Sequence, residues 1–317
     1  QERRDLLLFF LLGIPTFLIV AGGAGMWMSK RALLPVHQMT QKALGITGVE
    51  KLRERIPVPE ANDEIRELAE TFNGLLDRLD RAFTSQDRFV SNASHQLKTP
   101  LTILKGELEM LRKGQPTTED LTAGLDSAAG EINRLILLVQ DLLLLARLEA
   151  GRDTIELTPT RLDEVLLKSV ARVQKLAKNK RVQITTQFVA ETAGRELEAE
   201  VLADEELLDS MIENFIENAV KYAPADSTVE IVMNTGASEA QVFVRDQGPG
   251  VPLELRSTVF ERFTRGEPSN VIPGSGLGLS IANEIARLHN VRIELGPGLE
   301  GRGTVVTLTF PLSNINA

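Results

Sequence analysis

The imidazole of His95 is the group in this chain best placed to act as a nucleophile. It lies in Phe89-Val90-Ser91-Asn92-Ala93-Ser94-His95-Gln96-Leu97-Lys98-Thr99-Pro100-Leu101. Apolar or small residues recur at Val90, Ser94, Leu97, Leu101, Leu104, Leu108 and Leu111, in steps of 4, 3, 4, 3, 4 and 3. That is a helical heptad seam with one small residue in it. His95 stands one position off the seam, so its ring is expected to face solvent beside a helical core. A neutral imidazole there can attack an electrophile brought by another domain. A plain surface histidine has the same local signature, and what separates the two readings lies well downstream.

Four clusters between residues 205 and 280 carry groups suited to a nucleotide. Asn214-Phe215-Ile216-Glu217-Asn218-Ala219-Val220-Lys221-Tyr222 reads as helix. The i, i+4, i+7 spacing puts Asn214, Asn218 and Lys221 on one face, with Tyr222 beside them. Amide oxygens can coordinate Mg²⁺ and a lysine can meet phosphates. Val242-Phe243-Val244-Arg245-Asp246-Gln247-Gly248-Pro249-Gly250 reads as a strand ending in an acid and a glycine turn. Asp246 can accept a hydrogen bond from an amino group such as that of adenine. Phe260-Glu261-Arg262-Phe263 precedes a polar stretch rich in turn formers, and Gly274-Ser275-Gly276-Leu277-Gly278-Leu279 opens a helix running to about Leu288. Glycines at a helix N-terminus let backbone N–H groups approach phosphates. Each cluster alone is weak, because Gly-x-Gly-x-Gly occurs in many loops and an Asn-rich helix can be a polar face. Their order and spacing together are specific.

These groups must be positioned by several modules. Residues 6–28, Leu6 to Met28, contain no charged side chain. As a helix they reach about 34 Å, enough to cross a bilayer core. Lys30 and Arg31 follow the run and favour a cytoplasmic C-terminal side, whereas Arg3 and Arg4 on the other flank weaken that assignment. The nucleotide-like block, which needs the cytoplasm, decides it. Only residues 1–5 precede the span as an extracytoplasmic stub, so a sensing domain is expected to be missing, by nature or by truncation. Residues 29–82 read as two short helices. Pro35 is expected in the first turn of the first, which carries Val36, Met39 and Ala43. A connector through Gly45, Gly48, Pro57 and Pro59 follows, and Asn62 or Asp63 would cap the second helix. Its stripe is Ile65, Leu68, Phe72, Leu75, Leu79 and Ala82. Both stripes are too narrow to close a core in one chain, which implies a partner chain. With Asp63-Glu64 opening its second helix, this region resembles a HAMP linker.

Residues 83–150 read as a hairpin of helices at about 83–113 and 119–149, joined by Gly114-Gln115-Pro116-Thr117-Thr118. Pro100 is expected to bend the first helix just after His95. Residues 151–317 alternate helical stretches at about 161–177 and 204–222 with strand-like runs at 181–189, 228–234, 240–245, 291–295 and 303–311. That is an α+β domain, folded separately from the hairpin. The net charge of −9 argues against a nucleic-acid-binding surface. The chain has no cysteine and three histidines, which excludes disulfides and thiolate metal sites and argues against a histidine metal cluster.

In this arrangement the chain resembles a transmembrane sensor histidine kinase of a two-component system. Phe89–Leu101 resembles the H box, Asn214–Tyr222 the N box, Asp246–Gly250 the G1 box, Phe260–Phe263 the F box and Gly274–Leu279 the G2 box of the GHKL nucleotide-binding fold. The resemblance implies a membrane helix, an all-α HAMP linker and an antiparallel four-helix dimerisation bundle made of two hairpins. An α+β GHKL (Bergerat-type) sandwich follows. It further implies a homodimer in the bacterial inner (cytoplasmic) membrane with its catalytic domains in the cytoplasm. ATP and Mg²⁺ would be its cofactors and a cognate response regulator its partner. Asn218 would hold Mg²⁺, with Asn214 assisting at the metal or phosphates. Lys221 would contact phosphates, Tyr222 would line the site, and Asp246 would bind the adenine amino group in a pocket shaped by Gly248 and Gly250. Residues 252–273 would form an ATP lid with Arg262 near the γ-phosphate. Gly274, Gly276, Leu277 and Gly278 would close over the phosphates. His95 would become phosphohistidine and pass the group to an aspartate of the regulator.

Two positions in the H box sharpen this expectation. The family usually carries an acid after the phosphorylated histidine, and here that position is Gln96. An amide accepts a hydrogen bond from the ring but is no useful base near neutral pH, so slower autophosphorylation is expected. Thr99, one turn after His95, would in the family orient a water that hydrolyses the phospho-regulator. A local bond to backbone near Pro100 is the plainer role. Three rivals follow. In a chaperone- or topoisomerase-like ATPase of the same fold, a glutamate stands where this chain has Asn214, while Glu213 and Glu217 are expected on other faces. A kinase impaired by Gln96 could act as a phosphatase, or as a membrane scaffold. His37 and His289 read as structural, with a partly positive His289 ring suited to a helix C-terminus.

Overall fold

The structure, a computed structural model, describes residues 2–45, 52–58, 64–114, 117–150, 155–190, 199–264, 274–298 and 301–313. The chain forms two compact units, Gln1–Ala93 and Ser94–Ala317. The Gly48 and Pro59 portions of the expected connector, the Asn62 or Asp63 cap, the Gln115-Pro116 tip and residues 265–273 of the expected lid lie outside the described residues.

In the first unit, helix α1 (Glu2–Gly45) is continuous. The expected break between a membrane helix and a separate linker helix is not there, and Pro35 lies inside α1 and not in a first turn. The physical reason is that Ser29-Lys30-Arg31-Ala32-Leu33-Leu34 contains no breaker and several good helix formers. Its segment Leu12–Lys30 has a mean hydropathy of 1.4 and none of it is buried. Helix α2 (Glu64–Lys113) is likewise one element where two were expected. No Gly or Pro interrupts Arg78 to Thr99, so nothing ends the helix near residue 82.

The segment 52–58 packs on the start of α2. Ile56 and Ala69 are buried together with Ile65 and Phe72 against them. Asn73 clasps Ile56 from both sides: Ile56 N–H donates to Asn73 Oδ1 at 2.9 Å, and Asn73 Nδ2 donates to Ile56 O at 2.9 Å. The buried face therefore runs through Ala69 and Leu76, while Leu68, Leu75 and Leu79 of the expected stripe stay about half exposed.

In the second unit α2 is followed by helix α3 (Thr118–Ala150). Thr117 and Asp120 form a reciprocal cap at the start of α3. Thr117 N–H donates to Asp120 Oδ2 at 2.9 Å, and Asp120 N–H donates to Thr117 Oγ1 at 3.2 Å. Gly124 faces Leu111 so closely that a Cβ would sit 2.5 Å from its Cδ1.

The remainder is α+β. Strand β1 (Thr158–Arg161) and β3 (Glu200–Ala203) pair antiparallel as a small ribbon. The main sheet has the order β2-β4-β5-β7-β6, from β2 (Gln183–Ala190), β4 (Thr228–Thr235), β5 (Glu239–Arg245), β6 (Arg292–Pro297) and β7 (Thr304–Pro311). Among the described strands of this sheet only the β2–β4 pair is parallel. Alternation sets the inner face: Val229, Ile231 and Met233 of β4 and Ala240, Val242 and Val244 of β5 are buried. Helices α4 (Leu162–Lys180), α5 (Glu205–Tyr222) and α6 (Gly278–Leu288) supply the matching apolar faces. Asp209 is almost fully buried between α4 and α5, bonded to Ser169 Oγ at 2.6 Å and Arg172 Nη1 at 2.7 Å. A buried carboxylate needs such partners.

Candidate nucleotide-binding and phosphoacceptor site

Helix α5 carries the amides. Asp204 caps it by accepting from Leu207 N–H at 3.1 Å. The Asp204 N–H in turn donates to Nε2 of His289 at 3.0 Å. His289 Nδ1 lies 2.8 Å from Ile285 O. The Asp204 bond requires an unprotonated Nε2, so Nδ1 carries the proton and donates to Ile285 O. Burial holds the ring below its ordinary pKa. The partly positive His289 expected from its place at a helix end is thus corrected: the ring is a buried, neutral strut tying the end of α6 to the start of α5.

Asn214, Asn218 and Lys221 are half-buried along α5 and Tyr222 is exposed at its end. Asn214 Nδ2 donates to Ser210 O at 2.9 Å. Its Oδ1 points at α6, where a Cβ on Gly278 would come within 2.4 Å of it. Glu217 does not point away from this row: its Oε1 lies 3.0 Å from Lys221 Nζ.

Asp246 follows the end of β5. Its Oδ1 accepts from Gly248 N–H at 2.8 Å and from Thr304 N–H at 3.2 Å. Burial raises the Asp246 pKa, and the Gly248 and Thr304 hydrogen bonds act against that. A carboxylate has about four acceptor sites, so capacity remains for an amino group. Gly248 is pressed against the end of α5, where a Cβ would lie 2.8 Å from Tyr222 O. Gly250 has φ +79° and packs on Gly303. Thr304 and Gly303 were not found from sequence. Their signal was a Gly-x-Gly-Thr at a strand start far from Asp246 in sequence, and only the β5–β7 pairing brings them together.

The F-box and G2-box segments are joined. Phe263, at φ +60°, donates its N–H to Gly276 O at 2.9 Å. Gly276, at φ +73°, leaves no room for a side chain, because a Cβ would lie 3.0 Å from Phe263 backbone. Burial lowers the Arg262 pKa and Glu284 opposes the shift. Leu277 is buried, and Gly278 begins α6 with no side chain capping its first turn. No acid lies in that turn. Uncapped N–H groups at a glycine-flanked helix start fit an anionic phosphate. Among the described residues no group of three or more His, Cys, Asp or Glu converges to hold a metal. An amide oxygen on α5, such as that of the half-buried Asn218, has the chemistry to take Mg²⁺, which keeps several waters and takes phosphate oxygens from its substrate.

His95 is exposed on α2 and Gln96 is half-buried. Thr99 Oγ1 donates to His95 O at 3.1 Å. The plain local role of Thr99 is therefore the one its hydroxyl fills here. Pro100 is accommodated within the helix and is buried.

Comparison with known proteins agrees with this architecture. Residues 203–314 match the "Histidine kinase-, DNA gyrase B-, and HSP90-like ATPase" family, residues 85–151 the "His Kinase A (phospho-acceptor) domain" and residues 27–81 the "HAMP domain". Sensor protein CutS of Streptomyces coelicolor is 35% identical over 95% of this chain and 71% of its own length. The signal transduction histidine-protein kinase/phosphatase MprB of Mycolicibacterium smegmatis is 34% identical over 92% of this chain and 58% of its own. In fold, the chain is similar to histidine kinase ThkA, solved in complex with response regulator protein TrrA. The TM-score is 0.57 at 21% identity, covering 80% of this chain and 70% of that one. The chain belongs to the two-component sensor histidine kinases, with an α-helical HAMP and dimerisation region followed by a GHKL-like α+β domain of a class that binds ATP with Mg²⁺.

Proposed function

We propose that this chain is a membrane-anchored, homodimeric histidine kinase whose phosphoacceptor is His95. The observation that carries the reading is the convergence of the Asn face of α5, the end of β5 and the uncapped start of α6, where Gly248 and Gly278 make room against α5. Asp246 with Gly248, Gly250 and Thr304 would take the adenine. Lys221, Arg262, Gly274, Gly276, Leu277 and Gly278 would take the phosphates, and Asn218 with Asn214 would take Mg²⁺. Bound there, Mg²⁺ would neutralise phosphate charge. The His95 ring nitrogen would form a bond to the γ-phosphorus as the bond to the ADP oxygen breaks, and the ring would lose its N–H proton to water. Catalysis of this kind rests on positioning and charge neutralisation. The phosphoryl group would then pass to an aspartate of a response regulator.

The half-exposed seam at Val90, Leu101 and Leu108 supports dimerisation through the hairpin of residues 83–150. The uncovered Leu12–Lys30 segment supports insertion in the inner membrane, with residues 29–317 in the cytoplasm. A phosphatase activity at Thr99 is part of the proposal, and the MprB relative is named as both kinase and phosphatase.

The test is incubation with γ-labelled ATP and Mg²⁺. Acid-labile, alkali-stable label that His95→Ala abolishes is expected, and Gln96→Glu is expected to speed labelling about tenfold or more. Nucleotide binding without label would instead favour the impaired or scaffold reading. Thr99→Ala is expected to slow dephosphorylation of the regulator; an unchanged rate would remove the phosphatase half.

A further inference from the structure

One acid near the nucleotide site belongs to the hairpin. Asp141 on α3 accepts a hydrogen bond at Oδ2 from Ser275 Oγ at 3.1 Å. Ser275 sits between Gly274 and Gly276, and its Oγ also accepts from Leu277 N–H at 3.2 Å. Helix α3 packs against α6, and Leu138, Leu145 and Leu148, on the same face as Asp141, are buried. Lys221 and Glu217 are the charged groups felt by the Asp141 carboxyl.

This is an awkward place for an acid. Burial and the nearby Glu217 raise the Asp141 pKa, and only Ser275 and Lys221 act the other way. Those two are a lysine expected to meet phosphates and a hydroxyl inside the glycine loop expected to close over them. A polyphosphate bound there would bring several negative charges against the Asp141 carboxylate in a partly desolvated site, where repulsion is weakly screened.

We propose that Asp141 is a latch antagonistic to nucleotide: its bond to Ser275 clasps α3 to the glycine loop, and a bound nucleoside triphosphate releases it. The inference rests on the proposed nucleotide site. Coupling is reciprocal, so whatever nucleotide does to the latch, the latch does to nucleotide affinity. Release on binding would free the hairpin from the catalytic domain when phosphates are loaded and hold it when they are not.

Two measurements on the full chain test this. Calorimetric titration with a non-hydrolysable ATP analogue and Mg²⁺ compares the parent with Asp141→Asn, which keeps an acceptor for Ser275 and removes the charge. Affinity is expected to rise about fivefold, the low end of coupling between linked sites. Amide hydrogen exchange across residues 138–148 is expected to quicken on adding the analogue, and to be quick without it in Ser275→Ala. Equal affinities, or exchange that the analogue leaves unchanged or slows, overturn the latch while the nucleotide site stands. Binding by neither protein overturns the site and the latch with it.

Discussion

The hairpin and the α+β domain spend their apolar residues differently. In the hairpin Leu101, Ile103, Leu108, Ile132, Ile136, Val139 and Leu143 all remain about half exposed. In the α+β domain Leu166, Leu208, Met211, Ile212, Phe215, Ile231, Met233 and Phe310 are almost wholly buried. A two-helix hairpin has one apolar seam and nothing of its own to cover it, whereas a sheet faced by three helices closes a core inside one chain. The contrast follows from layer number and not from hydrophobicity. It teaches that stability of the catalytic half should be independent of protein concentration, while order in the hairpin should depend on a second copy.

The comparison can be broken from either side. The largest effect is expected from Gly303→Ala. A Cβ there would lie 1.9 Å from Asp246 O, and Gly303 has φ +79°. The turn cannot yield without moving the end of β5. The α+β domain is expected to lose about 3 kcal/mol or more and its nucleotide binding, with the helical signal of the hairpin kept, as calorimetry and circular dichroism would show. Unchanged melting would mean that the Gly303 turn is looser than described.

Next in size is the double substitution Leu101→Asp and Leu108→Asp. Both side chains are near half exposed in one chain, so a monomer has little to lose. Burial of two charges in a dimer seam is expected to weaken association about 100-fold or more, read by sedimentation in detergent, with the α+β melting transition unmoved. A dimer of unaltered affinity would place the interface elsewhere.

The smallest effect is expected from pH. Burial depresses the His289 pKa below its ordinary 6.5. The unfolded chain therefore takes up this proton first. Stability is fully present above about pH 6.5 and is lost as pH falls from there to the folded-state value. The slope in that window is at most about 1.4 kcal/mol per pH unit. His289→Leu is expected to be less stable at neutral pH, because Asp204 N–H loses its acceptor, and to lack this increment of acid sensitivity. Parallel curves for the two proteins would show that the ring contributes nothing to the pH response.

Much of this was legible in the residues. The heptad steps around His95 and the recurrence of Ile132, Leu135 and Val139 in α3 follow from 3.6 residues per turn, which makes seams readable at short range. The strands β4 and β5 of the main sheet alternate with period two and their burial follows that alternation. The short strands β1 and β3 were not seen, because four residues hold too few alternations to read. The helix ends near residues 28 and 82 were expected from apolar runs and stripes, but Ser29–Leu34 and Arg78–Thr99 contain no Gly or Pro, and the helix runs straight through both. The Asp246 pocket was read by half: Gly248 is a neighbour in sequence, but Thr304 reaches it through strand pairing.

What the sequence by itself determined is the chemistry available: one histidine on an exposed helical face, two amides and a lysine spaced along one helix, an acid ending a strand and a glycine-rich helix start. Residue type and helical or strand period suffice for that, since both are local. Only the tertiary structure decided which of these groups meet. Sheet order sets Thr304 beside Asp246, and the packing of α6 on α5 leaves Asn214 no room for a side chain at Gly278. The approach of α3 brings Asp141 to Ser275. Each is a contact between residues far apart in the chain, and such contacts are fixed by how apolar faces close over one another, which no short window of sequence contains.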